Sequence, residues 1–322
     1  MPLDLPPDAK GALKTTTSLP HGSSRRGKGP ARPTAGVPIS KTIGMRIDHV
    51  VEELVTDHGA LRRALPDVAA EVLELCAGSS GDAAKLERTL TRDPFITAQV
   101  VSIANSAMFA PRMPILGVRD AIVRIGISAV RDVVVMVVAS SKMFRLPGFE
   151  SHLEVLRRRM LAAAPSARAL ARALRTQPEA GFLTGLLHDI GELLLLERCA
   201  QKGILTPAIW SDPVEGETAR ERIHAHHTAV GAALCRSWKL PASVVDAAQF
   251  HHDYRSGGKT HLPAHLAAAS DALREYVLPN AARPETPAEE HPVLLELGLT
   301  PAQILNALDE ARPASAALIA TR

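Results

Sequence analysis

Imidazole and carboxylate recur together in the second half of this sequence. His188-Asp189 lies in Gly-Leu-Leu-His-Asp-Ile-Gly, followed by His224, His226 and His227, then His251-His252-Asp253, and finally Asp271 after His265. These are the donors that hold a hard or borderline divalent ion where a water is to be activated. Each also has a reading without an ion. A His-Asp pair in a helix can be a hydrogen-bonded polar pair. The face His227-Thr-Ala-Val-Gly231 can touch a partner helix through its glycine. His251-His252 suits a helix C-terminus, where a cationic imidazole meets the dipole, and Asp271 can be an exposed helical acid. The recurrence of such features, more than any single one, points to a shared ion. The candidate ligands are therefore His188, Asp189, His227, His251, His252 and Asp271, and the candidate ions are Mn, Fe or Mg.

The elements that must position these residues read as helices. Ile47, Val50, Val51, Leu54 and Val55 follow the spacing of one helix face, and Val130, Val133, Val134, Val137 and Val138 repeat it. Val135 and Met136 add apolar surface on the other side, so the valine helix is expected to be central and buried on most faces. Ser128 is its candidate N-cap, and Asp93-Pro94 is a start signal for a helix over 96–108. Further helices are expected at about 67–76, 82–91, 118–125, 152–175, 179–198, 218–237, 242–252, 262–276 and 301–310. On the helix over 179–198 the core face is Leu183, Leu186, Leu187, Ile190 and Leu194. That places Gly185, His188 and Asp189 on an adjacent stripe, with the glycine leaving room beside the pair. No alternating strand series is present, so the fold class is all-α.

Composition agrees. The chain has 322 residues, of which 46% are hydrophobic and 3% aromatic, so alanine, leucine and valine must fill the core. Cys76, Cys199 and Cys235 form no CxxC pair, which argues against a disulfide framework and for a reducing cytoplasm. The best apolar run, Val133 to Ala139, has Arg131 and Asp132 before it and Lys142 after it, too short for a membrane span. No secretory signal is visible at the start.

Residues 1–44 hold seven Lys/Arg and seven prolines against Asp4 and Asp8. They read as a disordered basic tail and leave the rest of the chain close to neutral. Arg25-Arg26-Gly27-Lys28 is short and has no stacking residues beside it. It reads as a solvated leader, and nucleic acid is not the expected partner. A leading helix follows at 45–62, the main domain covers 63–277 with a division near Pro147-Gly148, and a Pro-rich loop and last helix fill 278–322. Asn105-Ser106 reads as a buried, hydrogen-bonded link between helices, and Trp238-Lys239-Leu240-Pro241 as a helix end with an apolar anchor.

Taken in order, the motifs resemble the HDOD family, output-domain relatives of the HD metal-dependent phosphohydrolases. The resemblance covers about residues 63–277. Its first half rests on Leu65-Pro66, Thr91-Arg92-Asp93-Pro94, Ala104-Asn105-Ser106-Ala107 and Ala121-Ile122-Val123-Arg124-Ile125-Gly126. Its HD-like second half rests on Gly185 to Gly191, His227 to Gly231, Trp238 to Pro241 and His251-His252. The resemblance implies two packed helical halves, bacterial origin and a role in signal transduction without catalysis, through signalling proteins or a small nucleotide ligand. Asp271 matches the later Asp of the enzymatic relatives' metal site. Their additional histidine is missing, because the corresponding stretch reads Leu156-Arg157-Arg158-Arg159-Met160. Pro165, inside the same helix, is expected to cost roughly 3 kcal/mol or force a kink. Glu192 stands where cyclic-dinucleotide-cleaving relatives carry a lysine, and Tyr254-Arg-Ser-Gly-Gly lacks their Gly-Tyr-Pro signature. An acid where a cation should meet phosphate works against turnover. The resemblance thus implies a regulatory protein with a degenerate metal cleft, the rival being a metal-dependent phosphohydrolase. The flanking segments are too short for an attached receiver, cyclase or phosphodiesterase module.

Overall fold

Small and branched aliphatic side chains form most of the interior of this protein, and most of them are carried on helices. The computed structural model describes residues 39–57, 61, 67–77, 82–106, 108–109, 113–140, 146–278 and 284–320. The basic segment up to residue 38, the end of the expected leading helix, Leu65-Pro66 and Ala107 lie outside the described residues. In chain order the helices are α1 (Ile39–Thr56), α2 (Asp67–Ala77), α3 (Ala83–Leu90), α4 (Pro94–Ala104), α5 (Val118–Ser140), α6 (Glu150–Ala173) and α7 (Pro178–Leu187). They continue as α8 (Ile190–Gln201), α9 (Pro207–Ser211), α10 (Glu215–Ser237), α11 (Ala242–Phe250), α12 (Leu262–Val277), α13 (Pro292–Leu295) and α14 (Pro301–Ala320). Among the described residues there is no strand, and no helix is long and apolar enough to cross a membrane.

Several local signals act as their chemistry requires. The Asp93 side chain accepts from the backbone N–H groups of Phe95 and Ile96 at 2.9 and 3.0 Å, with Pro94 opening α4. Replacing Asp93 by Ala is expected to lower stability by about 1 kcal/mol, measurable as a shifted urea midpoint; an unchanged midpoint would show the cap to be idle. The run from Val133 to Ala139 is buried throughout, which makes the second part of α5 the central rod of the first half. The two helices expected at 118–125 and beyond 128 are joined end to end. The break between them is set by Gly126 (φ 83, ψ 160), a backbone geometry open to glycine alone, and not by a cap at Ser128.

Other expectations are corrected. Residues 39–44 are the first turns of α1 and not the end of a disordered tail, because Ile43 extends the buried face of Ile47, Val50 and Leu54 back by one turn. Asn105 is exposed instead of buried. It clamps the end of α4 to the following loop, donating to the Ile115 carbonyl at 2.7 Å and accepting from the Ile115 N–H at 2.8 Å. The helix α6 runs unbroken through a buried Pro165. Trp238 is buried and Pro241 leads into α11.

Residues 38–322 form one unit. One apolar core runs from Ile43 on α1 through α5, α7, α8 and α10 to Leu318 on α14, so the division near Pro147-Gly148 falls within a continuous interior. A second cluster, including Leu170, Leu273 and Ile304, joins α6, α12 and α14. The last helix is longer than the expected 301–310 and is part of the folded body.

Candidate metal centre

The histidine-bearing elements meet where α8 crosses α10. Gly191 makes that crossing: a Cβ there would lie 2.0 Å from the His227 carbonyl oxygen and 2.6 Å from the Gly231 nitrogen. The two backbones are in direct contact, as the glycine in His227-Thr-Ala-Val-Gly231 suggested. Gly185 serves a different purpose from the one expected. The space beside it is filled by the backbone of α6, with the Ala163 carbonyl 2.3 Å from a would-be Cβ, so it opens no room beside the pair.

The expected single helix over 179–198 is broken at the His-Asp pair. α7 ends at Leu187, His188 is its cap, and Asp189 (φ −97, ψ 7) precedes α8. The histidine pair is likewise outside its expected helix, since α11 ends at Phe250 and His251 and His252 form the turn after it. Of these residues Asp189 leaves the helical region, whereas His188 (φ −59, ψ −36) and His251 (φ −64, ψ −21) keep helical angles at the ends of α7 and α11.

All six candidate ligands converge, in two groups that share Asp189. The first is Asp189, His227, His251 and His252; the second is His188, Asp189 and Asp271. The His227 Nε2 lies 3.2 Å from the Nε2 atoms of both His251 and His252. Asp189 Oδ1 is 3.2 Å from the His251 Nε2 and 3.5 Å from the His227 Nε2. Second contacts fix the tautomers. The Nδ1 of His227 is 2.6 Å from the His224 carbonyl, and that of His251 is 3.1 Å from the Ala247 carbonyl. A carbonyl only accepts, so each Nδ1 carries the hydrogen, and Nε2 is the nitrogen left to act as a ligand. Two Nε2 lone pairs 3.2 Å apart cannot hydrogen-bond each other. A cation among them converts that repulsion into ligation, and this donor set therefore fits a divalent ion.

The second group is charged differently. His188 donates from Nδ1 to the Gly185 carbonyl at 2.8 Å, and its Nε2 is 2.9 Å from Asp271 Oδ1 and 3.3 Å from Asp189 Oδ2. Burial opposes the charge, but Asp189 and Asp271 outweigh it and hold the imidazole well above its ordinary pKa. Burial works equally against Asp189, whose carboxyl is nevertheless held well below the usual range by His188. In the other group burial pushes His251 down, and His252 is lowered to about 4 by the burial of its inner edge and then by His251 and His227. These two rings are neutral at pH 7, the state in which imidazole is a ligand.

His188, His227 and His251 are nearly inaccessible, whereas His252 is exposed at the mouth beside His224. Three other histidines do other work. His226 pairs with Asp48 on α1 at 3.1 Å, and His265 stacks on Tyr254. His152 lies 3.6 Å from Glu192 and edge-on to Trp210. Arg274 was missed by the sequence reading. One turn beyond Asp271, its Nε is 3.1 Å from Asp271 Oδ1. Acid and base three apart on one helix was the signal that could have found it.

Comparison with known proteins gives a consistent result. The HDOD domain family matches residues 63–254. An uncharacterized protein of Treponema pallidum (strain Nichols) is 22% identical over 178 residues, 54% of this chain; the chain spans 34% of that relative's length. Among solved structures, an HDOD domain protein from Geobacter sulfurreducens superposes with a TM-score of 0.57 at 20% identity, covering 87% of this chain and 98% of that one. The "Putative metal-dependent phosphohydrolase" from Shewanella amazonensis SB2B gives 0.64 at 18% identity, covering 86% and 99%. The "Putative signal transduction protein" from Marinobacter aquaeolei VT8 gives 0.55 at 21%, covering 80% and 58%. At such identities the likeness establishes the fold. The family match itself extends from the first helical half through the His251-His252 turn, more than half of the sequence, and on that ground this chain belongs to the HDOD domain family.

Proposed function

We propose that this HDOD protein is a bacterial, cytoplasmic signal-transduction component that binds a partner protein or a small nucleotide without turning it over. In this reading Asp189, His227, His251 and His252 hold one divalent ion. Three nitrogen donors favour Mn or Fe over Mg, which prefers oxygen. Bound there, such an ion supplies Lewis acidity towards a phosphoryl oxygen and acidifies a coordinated water.

The observation that carries the non-catalytic reading is the content of α6. Its sole histidine, His152, sits in the first turn against Glu192 and Trp210, and the stretch Leu156 to Met160 offers no imidazole to the cleft. The rival, a metal-dependent phosphohydrolase, is favoured by the convergence of six donors. Full-length protein purified without chelator separates the two. Metal analysis is expected to find about one equivalent of Mn or Fe. Incubation with nucleotides and cyclic dinucleotides is expected to give no hydrolysis above that of Asp189→Ala. Hydrolysis abolished by Asp189→Ala would establish the enzyme and end the regulatory reading.

A further inference from the structure

We infer that Arg274 is a built-in cation that takes the place of a second metal ion, so that the cleft holds one ion and not two. The inference rests on the reading of Asp189, His227, His251 and His252 as an ion site, and it concerns the other half of the cluster. There, His188, Asp189 and Asp271 bring three ligand-type atoms together and would suffice to anchor a further cation that displaces the His188 Nε2 proton. Asp271 Oδ1, however, is already engaged twice, by His188 Nε2 at 2.9 Å and by Arg274 Nε at 3.1 Å.

The arginine is not a surface residue that swings away. Its side chain is 11% exposed, it follows Asp271 by one turn on α12, and its Nη1 is buried without a hydrogen-bond partner. A guanidinium keeps its charge at all accessible pH, so it cannot make way for a metal by losing a proton. A dication on Asp271 would therefore sit against a fixed positive charge in a poorly solvated place, where repulsion is strong. The same charge keeps Asp271 and His188 in their paired geometry. Arg274 is thus a specificity-determining residue for ion number.

Full-length protein is dialysed to equilibrium against Mn²⁺, and bound metal is counted by mass spectrometry with folding checked by circular dichroism. Arg274→Gln is expected to bind one more equivalent than the wild type. Arg274→Lys, which keeps the charge, is expected to match the wild type, and Asp271→Asn added to Arg274→Gln is expected to remove the extra ion. Equal binding by Arg274→Gln and wild type overturns the inference. So does a wild type that itself takes two ions, a result that requires no variant. Arg274→Met, which keeps the apolar stem, replaces the glutamine variant if that one does not fold. A wild type that binds no ion would end the preceding functional reading, whereas the inference about Arg274 is decided by the difference between variant and wild type.

Discussion

Gly191→Ala is expected to destabilise the protein by about 3 kcal/mol and to lower the melting temperature by roughly 6–12 °C. A Cβ at residue 191 would come within 2.0 Å of the His227 carbonyl oxygen and 2.6 Å of the Gly231 nitrogen, both backbone atoms that have no rotamer to change. The helices α8 and α10 must part, and the roughly 1 kcal/mol that alanine gains over glycine inside a helix does not offset the loss. Because His227 sits at that contact and Asp189 lies just ahead of it, parting the helices also separates two donors. Ion affinity is expected to fall about 10–100-fold with no ligand touched. Gly231→Ala is the control. A Cβ there meets the Gly191 nitrogen at 3.3 Å and the Ala248 Cβ at 3.7 Å, and is expected to cost under about 1 kcal/mol. Thermal melts of the two variants with bound metal measured in parallel check this, and a Gly191→Ala protein that melts and binds like the wild type would refute the backbone contact.

The residues of the cluster were legible in the sequence because their chemistry is written in their types. Asp93-Pro94 and the valine face of α5 were legible for a similar reason, one as a cap and the other as a periodicity. The break at His188-Asp189 was hidden. Leu183, Leu186, Leu187, Ile190 and Leu194 are all buried, so the apolar spacing continues across the cap as though one helix passed through. Composition masked the start of α1 in the same way, since Lys41 and the prolines before it outweighed the apolar signal of Ile43. Gly185 and Gly191 are indistinguishable in sequence, yet the first admits α6 and the second admits α10, and that assignment depends on the packing of distant helices. Arg274 escaped because its role exists only once α12 lays Asp271 against His188, a residue far away in the chain.

Asp189→Ala is expected to abolish the response of the protein to chelator. In the wild type, removing an ion present at a thousandfold over its dissociation constant costs about 4 kcal/mol, which for a chain of this size corresponds to a fall of roughly 10 °C in melting temperature. Asp189 is the residue common to both groups of donors. Its Oδ1 faces His227 and His251 and its Oδ2 faces His188, so no neighbouring side chain can substitute for it. The alanine variant is expected to melt at the same temperature with and without chelator. It should already be less stable than the metal-free wild type by about 1–3 kcal/mol, because His188 is left with Asp271 alone as counter-charge. Asp253→Ala removes an exposed acid next to the same histidine turn and outside both groups, and it is expected to retain the full chelator shift. Scanning calorimetry of the three proteins with and without chelator decides the matter. If the wild type shows no shift, the convergence of Nε2 lone pairs on Asp189 holds no ion. If Asp253→Ala loses the shift together with Asp189→Ala, the effect belongs to the charge of the turn and not to the carboxylate that the imidazoles face.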